Sequence, residues 1–165
     1  MHCELSIILC SLADFTHNNK MTKRKKVQVV TMTQSPNGEA FALRMQTNVK
    51  RGQFWQNITG GVDRGEKFKN AAIREFCEET SLTENDIVDF RDLGLDFRFY
   101  DQYQTDVKER VYLVTISYES LDKIKLDPKE HDQYEWTELS KISKQSFKFY
   151  SNYLSLLMAK FEVER

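Results

Sequence analysis

Arg74, Glu75, Glu78 and Glu79 form the part of this sequence best equipped for chemistry. Residues three and four apart are neighbours on a helix, so Glu75, Glu78 and Glu79 share one side while Ile73, Phe76, Cys77 and Thr80 share the other. Like-charge neighbours on a helix cost about 0.2–0.5 kcal/mol per pair, and the C-terminal half, where these lie, disfavours negative charge further. Arg74 reaches Glu78 at i+4, but the residues at i+4 from Glu75, Glu78 and Glu79 are Glu79, Leu82 and Thr83, none of them a cation. One guanidinium cannot neutralise three carboxylates. A hard divalent ion that takes oxygen ligands can, and Mg²⁺ is the natural occupant. For any one of these glutamates alone, a solvated helix face is the competing reading.

Hydrophobic periodicity outlines the scaffold that must position these side chains. Val27, Val29 and Thr31 alternate as in a strand, Ser35-Pro36-Asn37-Gly38 is a turn, and residues 40–46 return as the second arm of a hairpin. Residues 53–59 are expected to form a short aromatic strand ending at Gly60-Gly61, and residues 68–81 a helix. Residues 87–100, 107–118 and 133–136 are rich in β-branched and aromatic side chains and are predicted strands. A long apolar-periodic helix is predicted from 146 to about 161, packed on its own sheet or on a second subunit. Strands interspersed with two helices in one short chain indicate a mixed α/β layer domain.

Composition narrows the function classes. The chain has 165 residues, with 24 Lys+Arg against 25 Asp+Glu and a formal charge of −1. That balance argues against stable nucleic-acid binding through bulk charge, and 40% hydrophobic residues argue against disorder. Cys3, Cys10 and Cys77 are an odd set at no metal-ligand spacing, which fits a reducing cytoplasm better than a secreted disulfide scaffold. The apolar stretch 5–12 is too short for a membrane span, which needs about 20 residues, and lacks a signal peptide's basic start. Met21 precedes a basic run and a clean strand pattern, so residues 1–20 are expected to be an extension and 21–165 a single domain. Lys23 to Lys26 read as a basic arm, solvated or in contact with phosphate.

The segment from Gly60 to Leu82 resembles the box of the Nudix hydrolases, G-x5-E-x7-R-E-U-x-E-E-x-G-U with U apolar, and eight of its nine specified positions match. They are Gly60, Glu66, Arg74, Glu75, Phe76, Glu78, Glu79 and Leu82. Ser81 departs from the pattern, standing where the family has a helix-ending glycine. The resemblance implies an α/β/α sandwich with a mixed central sheet, a loop-helix-loop catalytic motif, and attack of water on a diphosphate linkage supported by Mg²⁺, with Mn²⁺ as a substitute. Carried over, Glu75 and Glu79 are principal metal ligands, Glu78 a further one and the Gly60 carbonyl another. Arg74 then orients Glu75, and Glu66 braces the loop against the helix.

Two further segments, FWQNITG before the box and EHDQYEW after it, resemble the subgroup that hydrolyses dihydroneopterin triphosphate and dATP. That resemblance implies that Glu130 lies at the metal centre as ligand or base and that Thr59 contacts substrate; His131, a single histidine, reads as structural or as a group supporting a neighbour. The resemblance also implies that the connection 100–108 shapes a base or pterin pocket. Arg44, Lys108 and Arg110 are candidate phosphate contacts. Phe97, Phe99, Tyr100 and Tyr103 suit either core packing or stacking on a planar base, and Cys77 a buried apolar role. The expected activity is cleavage of a nucleoside or pterin triphosphate to monophosphate and pyrophosphate by a monomer or homodimer. The alternatives are a dinucleoside polyphosphate, a nucleotide sugar or an RNA 5′ end as substrate, and a non-catalytic ligand sensor.

Overall fold

Strand β1 (Lys23–Gln34) organises the sheet because it has two different neighbours along one edge. The computed structural model describes residues 23–165, so the expected extension over residues 1–20 lies outside the described residues. One edge of β1 pairs in parallel with β6 (Asp106–Ile116), which in turn forms an antiparallel hairpin with β5 (Ile87–Tyr100). The other edge pairs near its C-terminal end with β2 (Ala40–Thr47) and near its N-terminal end with β4 (Ile58–Gly61), both antiparallel. The short β3 (Trp55–Gln56) and β7 (His131–Glu138) complete the sheet against β2. Helix α1 (Phe68–Thr80) covers one face and α2 (Tyr150–Glu164) the other, giving the expected sandwich. Among the described residues no helix is long and apolar enough to cross a membrane.

Strand alternation assigns the two cores. Val27, Val29, Ile58, Tyr112 and Val114 meet Ala72 and Phe76 of α1, while Val30, Met32, Val111 and Leu113 meet Leu156 and Ala159 of α2. The second helix therefore packs on its own sheet. Cys77 is half-buried against the α1 core, where burial pushes its thiol up.

Three expectations are corrected. The strand expected over 53–59 is two strands, broken at Asn57, whose backbone N–H and side-chain amide turn to Asn152 on α2 instead of a sheet partner. The final helix begins at Tyr150, not 146. Phe147 and Phe149 are held extended, Phe147 by burial in the α2 core and Phe149 by an edge-on contact with Phe54, the ring centroids 5.4 Å apart. Helix α1 ends at Thr80, with Ser81 as its left-handed cap at φ 58°, its N–H bonded to the Cys77 carbonyl. Ser81 thus keeps the conformation that favours glycine, at a cost of about 1–2 kcal/mol. Its hydroxyl donates to the Lys125 carbonyl at 2.8 Å, which offsets part of that cost.

Asn152 Oδ1 accepts the buried Asn57 N–H at 2.7 Å and so ties α2 to the break between β3 and β4. Asn152→Ala leaves that donor without a partner, and an unsatisfied buried group costs about 1–3 kcal/mol. Urea unfolding is expected to show a loss of that size, and an unchanged midpoint would disprove the anchoring role.

Candidate active site

The box residues are assembled around one guanidinium. Arg74 donates from Nε and Nη2 to the two oxygens of Glu66 at 3.0 Å each, from Nη2 to the Gly61 carbonyl at 2.8 Å, and from Nη1 to Glu75 at 2.7 Å and Glu78 at 3.1 Å. Glu66 also accepts the Asp63 N–H at 2.9 Å, and the Arg74 guanidinium holds its carboxyl below the usual range. These bonds tie the loop, strand β4 and helix α1 together in one register. Leu82 is buried in the α1 core directly after the cap.

Glycine at position 60 has a steric reason. A Cβ built there would lie 1.7 Å from the carboxyl carbon of Glu75, so the carboxylate occupies the space a side chain would fill. Burial pushes the Glu75 carboxyl up even though Arg74 opposes the shift. Glu79 is only 4% exposed, and burial, with the charges of Glu75 and Glu130, raises its carboxyl well above the ordinary value. Its Oε2 has no hydrogen-bond partner and faces Nε2 of the buried His131 at 3.7 Å. Burial lowers the imidazole, which keeps His131 neutral, and neither ring nitrogen is hydrogen-bonded.

Glu75, Glu78, Glu79, Asp127 and Glu130 line a cavity of about 250 Å³. Among the described residues no three of them form a closed cation shell; Arg74 engages Glu75 and Glu78, and Arg51 engages Glu130 at 2.7 Å. The donor set still fits Mg²⁺: all ligands are hard oxygens, and a buried Glu79 oxygen without a partner needs a cation or a proton.

A larger cleft of about 660 Å³ adjoins this cavity. Glu75, Glu130 and the Gly60 backbone form one side, and Arg24, Lys26, Lys50 and Arg51 supply positive charge. Thr59, expected to contact substrate, lines this cleft. Arg24 and Lys26 belong to the basic arm 23–26, while Lys50, Arg51 and Asp127 carry no motif that singles them out. The signal present was the run 41–58, with three bases and no acid.

Arg44 and Lys108, expected to contact phosphate, are placed elsewhere. Arg44 is buried under the α2-side loops, bonded to Thr137, Glu135 and the Ser146 carbonyl and stacked on Trp55 at 4.8 Å. Lys108 and Arg110 point to the α1 side of β6, where both pair with Asp96 and Arg110 also with Asp92.

Comparison with known proteins agrees with this geometry. The NUDIX domain model matches residues 22–157. No curated protein matches significantly. Among solved structures, the Escherichia coli dihydroneopterin triphosphate pyrophosphohydrolase is similar at 23% identity and TM-score 0.68, over 88% of this chain and 100% of that one. The Caenorhabditis elegans Ap4A hydrolase, in a binary complex, is similar at 21% identity and TM-score 0.66, over 85% and 96% of the two chains. The NUDIX domain of Shewanella oneidensis NrtR, complexed with ADP ribose, is similar at 14% identity and TM-score 0.67, over 86% and 89%. With the family model spanning most of its length and the box arranged around Arg74, the chain belongs to the Nudix family of hydrolases, which act on phosphoric anhydrides.

Proposed function

We propose that the protein cleaves a nucleoside or pterin triphosphate to the monophosphate and pyrophosphate. In this reading Glu75, Glu78, Glu79, Glu130 and the Gly60 carbonyl hold Mg²⁺, for which Mn²⁺ can substitute. The observation that carries it is the two-signed cleft, with carboxylates beside four cationic side chains and an aromatic cavity adjoining it. Such a cleft suits a substrate that ends in polyphosphate and begins in one ring system. A bound divalent ion would supply charge neutralisation at the phosphoryl oxygens and a nucleophilic water at neutral pH.

The protein's own groups bind and orient. Arg24, Lys26, Lys50 and Arg51 take phosphate oxygens as charge-assisted donors. Thr59, which lines both the cleft and the aromatic cavity, stands at the junction between phosphate and ring. Arg74 fixes Glu75 and Glu78, and Glu130, as ligand or base, is steadied by the bond from the Asn48 N–H to its carbonyl at 3.0 Å.

Three outcomes follow. Incubation with Mg²⁺ and dATP, dGTP, dihydroneopterin triphosphate, ADP-ribose, a dinucleoside tetraphosphate and triphosphorylated RNA is expected to release pyrophosphate from the small triphosphates only. Glu79→Gln should then retain under about a tenth of kcat with the fold intact, since electrostatic stabilisation of this kind is worth at least that factor. Gly60→Ala forces Glu75 aside, and a loss of about 100-fold in kcat/KM with little change in Tm is expected; unaltered turnover would sink the close-approach argument.

The pH dependence has a definite sign. A carboxyl whose folded value is raised binds more protons folded than unfolded, so in the ion-free protein the contribution of Glu75 and Glu79 to stability is greatest below the ordinary carboxylate range. That stability is lost as pH rises through the raised values of Glu75 and Glu79. Compared with Glu79→Gln in chelator, the wild type should lose Tm as pH rises through the raised carboxyl values, and Mg²⁺ titration should release protons. A flat profile with no proton release would refute the assignment.

A further inference from the structure

On the α2 face of the sheet a chain of buried polar side chains ends in a carboxylate at a cavity. The Asn152 carbonyl accepts from Asn57 Nδ2 at 3.1 Å, which fixes which end of the Asn57 amide is the donor. The same Nδ2 donates to Gln28 Oε1 at 3.0 Å, which fixes the Gln28 amide, and Gln28 Nε2 therefore donates to Glu109 Oε2 at 2.9 Å. Gln28, Asn57, Glu109 and Asn152 are all less than 5% exposed. Glu109 Oε1 accepts no hydrogen bond among the described residues; burial pushes the carboxyl up, while the ammonium of Lys26, 3.8 Å away, and the bond from Gln28 oppose that shift.

Glu109 lines a cavity of about 520 Å³ that shares Lys26, Gln56, Thr59 and Phe149 with the phosphate cleft. Its rim carries Phe99, Tyr100, Phe149 and Tyr150, which are 40%, 60%, 47% and 51% exposed. Large aromatic faces left in water around one cavity suit a stacked planar ring, and a carboxylate at its buried wall needs donors. A carboxylate has about four acceptor positions, of which Gln28 uses one.

Resting on the triphosphate reading above, we infer that Glu109 selects the ring of the substrate by accepting two N–H donors from a 2-amino-oxo edge, the edge shared by guanine and the pterins. With Lys26 and the Gln28 donor both set against Glu109 in favour of its carboxylate form, adenine and cytosine, which present an amino donor beside a ring acceptor, would turn a lone pair toward it. Glu109 is then a specificity residue, separate from the carboxylates of the box.

The test compares kcat/KM for dihydroneopterin triphosphate, dGTP, dATP and dCTP in the wild type and in Glu109→Gln, whose amide can still accept from Gln28 but offers one donor to the ring. The wild type is expected to prefer the 2-amino-oxo substrates over dATP at least about tenfold, and the variant to reduce that ratio about 10- to 100-fold, chiefly through KM. The dGTP and pterin arms distinguish the two sources of the edge. Equal kcat/KM for dATP, or a ratio unmoved by the substitution, overturns the inference while the hydrolase reading stands. If no triphosphate is turned over, or the variant fails to fold by circular dichroism, calorimetric titration of the wild type with guanosine, neopterin and adenosine decides. Tighter binding of either of the first two supports the inference, and equal or absent binding of all three overturns it.

Discussion

Arg74 spends all five of its N–H donors inside the protein. Two go to Glu66 in the loop, one to a carbonyl of β4, and two to glutamates on its own helix. The rest of the site depends on that distribution. The fork fixes how far α1 can slide along β4, and that distance must be small because the Glu75 carboxylate fills the side-chain space of residue 60. A lysine would present one point charge with three donors and could not span loop, strand and helix together.

The sheet separates two kinds of surroundings by simple alternation. Along β4, Ile58 and Gly60 face α1, so the strand supplies core on that side and then a gap for Glu75. Asn57 and Thr59 face α2, where the polar chain from Asn152 to Glu109 runs under the aromatic cavity. Lys26, opposite Glu109 in the parallel β1–β6 pair, stands at both cavities. The cationic cleft and the aromatic cavity thus draw on the same three strands, one residue out of phase. The mixed sheet is what permits this, because β1 leaves β2 part way along and takes β4 as its partner instead.

Local patterns carried most of the fold and the box. The hairpin turn, α1 and the long strands follow from periodicity, and Ser81 holds the left-handed cap the box requires even without glycine. The errors arose where tertiary contacts override local preference. Asn57 breaks a strand to reach Asn152, and Phe147 and Phe149 delay a helix to fill the α2 core and meet Phe54. Arg44 looks like a free cation near a strand end, but Glu135 on the neighbouring β7 and Trp55 beneath it exist as partners only once β2 is paired. Arg51 is the reverse case. Nothing local marks it, and its position depends on the short 3-10 turn capped by Asn48 docking against Glu130.

The near-zero net charge is an average over parts that the fold brings into contact. Residues 60–90 hold eight acids against four bases, and residues 41–58 hold three bases and no acid. In the folded protein both segments line one cleft, where Arg51 meets Glu130 from a third segment and Arg74 meets Glu75 and Glu78 within its own helix. The carboxylates are therefore not bare before a cation arrives. In the proposed reading a triphosphate and its metal would take over these partners: Glu75, Glu78 and Glu130 would hold the metal in place of arginine, and Arg51 would turn from Glu130 to phosphate. Glu79 is the exception. Buried, without a hydrogen bond and 3.7 Å from a neutral imidazole, it has no arginine to give up. Of all the carboxylates in the box, it is the one whose burial only a cation or a proton can offset.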